Sequence, residues 1–151
     1  MVLMNCRKKV AIIYASITGN TKELIEILCD FFQEYPIKVY KFQVGDFQLP
    51  NLSQFDAVII GTYTWGSGEI PEEMIPIYQS FEMKDVNKLV TGVAGTGDKF
   101  YPNYCGAVDK FRDMLFVHTE LAATLKIELN PQTKDLTKCK QFVDSLVRRM
   151  A

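Results

Sequence analysis

Residues 10–28 read VAIIYASITGNTKELIEIL, and their order decides the fold. Val10 to Tyr14 is a short apolar run that ends in a polar, glycine-containing turn, the pattern of a covered β-strand. Leu24, Leu28 and Phe31 then recur at helical spacing, and Asn20 or Thr21 can cap the helix start. The chain thus runs from a strand through a small polar loop directly into a helix.

The same alternation continues downstream. Ile37 to Phe42 (after Pro36), Ala57 to Gly61, Leu89 to Ala94, and Leu125, Ile127 and Leu129 alternating with Lys126 and Glu128 read as four further strands. Between and after them lie three helical faces. Met74, Tyr78 and Phe81 form one, opened by Pro71, Glu72 and Glu73. Tyr104, Val108, Phe111 and Leu115 form the next, and Cys139, Val143, Leu146 and Met150 the last.

Strands alternating with helices predict an α/β fold, a doubly wound five-stranded parallel sheet with helices on both faces. Strands one and three are apolar throughout, as central strands are, and strand four departs from this only at Thr91 and Gly92. Lys38, Lys41, Lys126 and Glu128 mark strands two and five as edges. The predicted order is therefore 2-1-3-4-5, with a ligand site beyond the C-terminal ends of strands one, three and four.

Composition bounds the function. The 151 residues carry 17 basic and 18 acidic side chains, a formal net charge of −1. That gives no reason to expect a nucleic acid or an anionic membrane as partner. The length fits one domain over 1–151, expected to act as a monomer. Cys6, Cys29, Cys105 and Cys139 form no CxxC pair, so neither a zinc site nor a disulfide framework is signalled, and a reducing cytoplasm is expected. Met1 to Arg7 lacks the pattern of a signal peptide, and no apolar run is long enough for membrane insertion.

Three loops fall at the predicted site. Ser16-Ile17-Thr18-Gly19-Asn20-Thr21 joins strand one to its helix, where outward backbone N–H groups can hold a phosphate without any cation. It lacks the lysine of a nucleoside-triphosphate P-loop; a merely capped turn is the plain alternative. Thr62 to Gly68 follows strand three, and Gly95 to Tyr101, continuing through Asn103 to Cys105, follows strand four.

These three stretches together resemble the flavodoxins. Ser16, Thr18, Gly19 and Thr21 fit the phosphate-loop pattern S/T-x-T-G-x-T. Thr64-Trp65-Gly66 fits the second loop, and Gly95, Gly97 and Asp98 followed by Tyr101 fit the third. His118 to Leu129 runs without a long insertion, as in the short-chain class. The flavodoxin-like sheet is itself a standard instance of the order 2-1-3-4-5, with FMN at the switch point.

The resemblance implies non-covalently bound FMN as cofactor, with no metal and no catalytic residue. It implies contacts from Ser16, Ile17, Thr18, Gly19, Asn20 and Thr21, then from Tyr63, Thr64, Trp65, Gly66 and Ser67, and from Thr96, Gly97, Asp98, Tyr101, Asn103 and Cys105. Trp65 and Tyr101 would sandwich the flavin ring. The peptide after Trp65 would flip on one-electron reduction, made easy by Gly66. Cys105 would border the flavin, with core packing as the alternative.

The implied role is a one-electron carrier between a flavodoxin/ferredoxin-NADP reductase and acceptor enzymes. The alternatives are an NAD(P)H-dependent quinone or nitro reductase on the same fold and a flavodoxin specialised for activating ribonucleotide reductase. A receiver domain is excluded because Gly61-Thr62 stands where it needs aspartate, and a small phosphatase because the first loop has no cysteine. A fully reduced anionic ring near a phosphate and Asp98 implies a strongly negative semiquinone/hydroquinone potential. Ser67, where many relatives are acidic, and Lys99 beside Asp98 predict a less negative value than in acidic relatives. Glu69, Glu72 and Glu73 read equally as an acidic rim or a charged helix start. His118 reads as a surface or strand-edge residue, Cys29 and Cys139 as core, and Arg148-Arg149 as a cationic helix end.

Overall fold

The structure is a computed structural model that describes residues 7–46 and 49–151; Cys6 lies outside the described residues. The first strand, β1 (Lys8–Tyr14), lies between β2 (Ile37–Gln43) and β3 (Ala57–Tyr63). The sheet continues through β4 (Val90–Gly97) to β5 (Glu120–Glu128), and all four pairings are parallel. The order β2-β1-β3-β4-β5 is the one read from the charges on the edge strands.

Alternate residues of a strand face opposite sides of a sheet, so each central strand feeds two cores. Val10, Ile12 and Ile59 pack with Leu24, Leu28 and Phe32 of α1 (Asn20–Phe32) and with Phe142 and Leu146 of α4 (Leu136–Met150). Ala11, Ile13, Val58 and Ile60 pack with Phe81 of α2 (Ile75–Met83) and with Val108 and Phe111 of α3 (Gly106–His118). Each fully buried large side chain is worth roughly 1.5–3 kcal/mol relative to exposure. These paired cores fix the three C-terminal strand ends against one another.

Several boundaries differ from the sequence reading, each for a physical reason. β3 runs on to Tyr63 and β4 to Gly97, so Thr62-Tyr63 and Gly95-Thr96-Gly97 are strand rather than loop. Their backbones stay paired, Thr62 with Gly95 and Tyr63 with Thr96. Tyr104 precedes α3 instead of opening it, because Cys105 holds a left-handed φ of 53° at the N-cap. Leu129 lies outside β5 with φ 57° and donates its N–H to the carbonyl of Gly97 at 2.8 Å. Cys29 is half-buried and packs at the margin of the core that holds the fully buried Cys139. His118 ends α3 and Arg148 and Arg149 lie in the last turn of α4. No described helix is long and apolar enough to cross a membrane.

Candidate functional site

The turn after β1 is built to leave donors free. Gly19 is the N-cap of α1 at φ 94°, a conformation costly for any side chain. Neither Asn20 nor Thr21 caps the helix, as the sequence had suggested; both are already inside it. The capping oxygen is Ser16 Oγ, which accepts the N–H of Lys22 at 3.2 Å, while the Gly19 carbonyl accepts that of Glu23 at 2.9 Å. No acceptor among the described residues takes the N–H groups of Thr18, Gly19, Asn20 and Thr21. They sit at the positive end of the helix dipole, where an anion is favoured.

The hydroxyl of Thr21 is buried and hydrogen-bonds that of Thr96 at 2.9 Å. This bond ties the start of α1 to the end of β4, between residues 75 apart in sequence.

The second loop is a tight turn around Trp65. Its N–H donates to the Glu69 carbonyl at 2.8 Å and its carbonyl accepts the N–H of Glu69 at 2.7 Å. Gly66 (φ 55°) and Gly68 (φ 106°) make that turn possible. The indole is left 59% exposed. Below it, the Tyr63 hydroxyl donates to the Glu73 carboxylate, and burial together with that carboxylate pushes the phenol pKa well up.

In the third loop the Asp98 carboxylate accepts the N–H of Phe100 at 2.9 Å, and the Asp98 carbonyl accepts that of Tyr101 at 3.1 Å. The turn presents Tyr101 57% exposed, with the Phe100 ring edge-on at 5.6 Å. Asn103, at φ 58°, donates from Nδ2 to the Ser67 carbonyl at 2.8 Å and so clips the third loop to the second.

Between the loops lies a cleft of about 660 Å³, within the range of small-molecule sites. Of the residues expected from sequence, Ile17, Thr18, Asn20, Thr21, Tyr63, Thr64, Trp65, Gly66, Ser67, Thr96, Gly97, Asp98, Tyr101, Asn103 and Cys105 border it. Ser16 and Gly19 do not; Ser16 is occupied with the cap. Cys105 is fully buried, its thiol 3.9 Å from the Gly95 and Ile127 carbonyls, and burial pushes its pKa up to about 11. It both packs and borders the cleft, as a neutral thiol.

Sequence reasoning missed Pro102, Tyr104 and Leu129, which complete the lining. Tyr104 was hidden by its helical spacing, and Leu129 by its alternation with the β5 residues. Pro102 offered a signal, since it follows Tyr101 directly.

Among the described residues, the cleft border holds no lysine or arginine. Uncharged donors at one end and two exposed aromatics at the other suit a ligand with a phosphate tail and a flat ring. The flavodoxin family model matches residues 12–141, across all three loops. The chain belongs to the flavodoxin family.

This flavodoxin is 39% identical over 140 residues to probable flavodoxin 1 of Bacillus subtilis (strain 168), covering 89% of this chain and 87% of that one. Its fold matches oxidised flavodoxin 1 from Bacillus cereus with a TM-score of 0.85 at 31% identity, covering 93% of this chain and 98% of the other. A short-chain flavodoxin associated with a PDU bacterial microcompartment matches at TM-score 0.90 and 29% identity, over 95% and 99% of the two chains. β5 of this flavodoxin is one strand of nine residues with a register shift after Leu121 and no long insertion, as in the short-chain class. Flavodoxins are electron-transfer flavoproteins rather than enzymes.

Proposed function

We propose that this flavodoxin holds FMN non-covalently in the cleft and passes single electrons from a flavodoxin/ferredoxin-NADP reductase to acceptor enzymes. The observation that carries this reading is the helix start at Gly19, with four N–H groups that find no acceptor among the described residues, beside a cleft flanked by Trp65 and Tyr101. When bound, FMN supplies a centre that accepts and gives up one electron at a time.

The residues have separable tasks. The first loop binds the phosphate through N–H groups and the Thr18 and Thr21 hydroxyls. Trp65 and Tyr101 stack on the ring, each contact worth roughly 1–3 kcal/mol by analogy with base stacking. Gly66 gives the turn after Trp65 the freedom to swing its own carbonyl toward the ring, since that of Trp65 is held by the Glu69 N–H. Asp98 fixes the turn that presents Tyr101. Ser16, Gly19, Ser67, Asn103 and Cys105 hold these groups in place.

We further propose that the chain works as one domain, as a monomer, in the cytoplasm. Support for the compartment comes from the described cysteines Cys29, Cys105 and Cys139, all of them free thiols, as expected in a reducing compartment. Anaerobic titration of the FMN-loaded protein tests the carrier role. Two resolved one-electron waves are expected. A single two-electron wave, or rapid NADPH-driven quinone turnover without added reductase, would overturn it in favour of an enzyme.

A further inference from the structure

A second groove of about 340 Å³ opens beside the cleft and shares Tyr104 and Leu129 with it. Its walls carry Lys99, Lys126, Lys134 and Lys138. The Nζ of Lys99 stands 5.4 Å from the centroid of the Tyr104 ring, and that of Lys126 stands 6.0 Å from it. Two ammonium groups thus converge on one phenol, attracted by its π-face but repelled by each other.

The positive charge there is not fully neutralised within the chain. Lys126 pairs with Asp109 at 2.8 Å. Lys99, Lys134 and Lys138 form no ion pair among the described residues. Glu128 and Asp135 also line the groove and offset part of that charge, Asp135 from a buried position where it accepts the N–H of Gln132 at 2.9 Å, but the lysines outnumber them. The far side of the cleft has the opposite sign, with Glu72 and Glu73 in a groove beside Trp65. The mouth is therefore electrically polarised, which a net charge of −1 conceals.

We infer that the lysine groove is the docking surface for a carboxylate-rich patch on a protein partner of this flavodoxin. That the partner exchanges electrons rests on the function proposed above; the groove itself does not. A carboxylate seated near Tyr104 would pair with Lys99, which has no ion-pair partner among the described residues, Lys126 being held by Asp109. Phe100, next to Lys99 and 86% exposed, supplies an apolar anchor at the edge of the contact. A polarised mouth turns the partner to one orientation during encounter.

The test is an amide-shift titration of the FMN-loaded protein with a synthetic decaglutamate peptide at ~20 mM salt, where screening is weak. Shifts are expected at residues 99–104 and 126–138 and should vanish at ~0.5 M salt. The double variant K134Q/K138Q should bind roughly fivefold more weakly, as the loss of two exposed pairings implies. K38Q/K41Q, at the other edge of the sheet where Lys38 alone sits over Tyr40 at 5.2 Å, should bind as before. Shifts scattered over all lysines, or none, would overturn the inference. So would equal shifts with inorganic phosphate, which would mark a small-anion site. A protein that takes up no flavin ends the carrier reading, while the peptide titration still reads the groove.

Discussion

The backbone of Gly106 lies against that of Gly68: a Cβ at Gly106 would stand 2.6 Å from both the Cα and the carbonyl oxygen of Gly68. A side chain at that spacing does not fit, so the start of α3 approaches the Trp65 loop only because residue 106 is glycine; a Cβ at Gly68 would instead meet the Asn103 Cβ at 2.6 Å. Asn103 reinforces the approach through its bond to the Ser67 carbonyl. Gly106→Ala should therefore separate two walls of the cleft. The expected cost is about 1–3 kcal/mol of stability from overpacking, with weaker FMN binding besides. Urea unfolding and FMN titration of the variant would measure both. Unchanged stability together with unchanged affinity would show that the contact is slack.

The buried Thr21–Thr96 hydroxyl pair permits a cleaner dissection. Thr21→Val or Thr96→Val alone leaves one hydroxyl buried without its partner, at a cost of about 1–3 kcal/mol. The double variant removes both groups and should cost less than the sum. A double-mutant cycle by urea unfolding of the apoprotein reads the coupling; additive losses would mean that the bond contributes nothing.

Alkaline pH should weaken the fold. Burial, the leading cause in each case, pushes the Cys29, Cys105 and Cys139 thiols from 9.0 up to about 11. The folded state then keeps protons that the unfolded chain releases. This contribution is whole below pH 9 and is lost as pH rises through about 11. Tyr63 and Tyr78, also raised, act in the same direction. Urea midpoints followed from pH 8 to 11 should fall, most steeply above pH 9. A flat profile would contradict it. Thiol-reagent kinetics at pH 8 should show Cys29 reacting ahead of Cys105 and Cys139, which are closed to solvent.

Ser67 sits in the Trp65 turn with its carbonyl held by Asn103, so its side chain can be changed without loss of the clip. Ser67→Asp would bring a carboxylate to the cleft border. By Coulomb repulsion of a negatively charged reduced ring, it should drive the second one-electron potential more negative. Potentiometric titration of both proteins decides this; an equal or less negative potential in the variant would show that the side chain points its charge away.

The strand order was legible because Lys38, Lys41, Lys126 and Glu128 mark the edges that the sheet really has. The cleft was legible where a residue type has few other uses, as with Trp65, Gly66 and the Ser16–Thr21 stretch. What stayed hidden depended on backbone geometry. Ser16 as the cap of α1 needs the left-handed Gly19, and Leu129 enters the cleft only through its φ of 57°. The Gly68–Gly106 contact joins the Trp65 turn to the first residue of α3 and has no local signature. Tyr104 fitted a helical repeat, yet the left-handed Cys105 keeps the helix from starting before Gly106.

Trp65 is the only tryptophan in the chain, so its emission reports on the cleft alone. Adding FMN to the apoprotein should quench that emission and the flavin's own fluorescence together, both reaching an end point at one FMN per chain. If both emissions stay unchanged and the protein remains colourless, the cleft between Trp65 and Tyr101 does not hold the flavin.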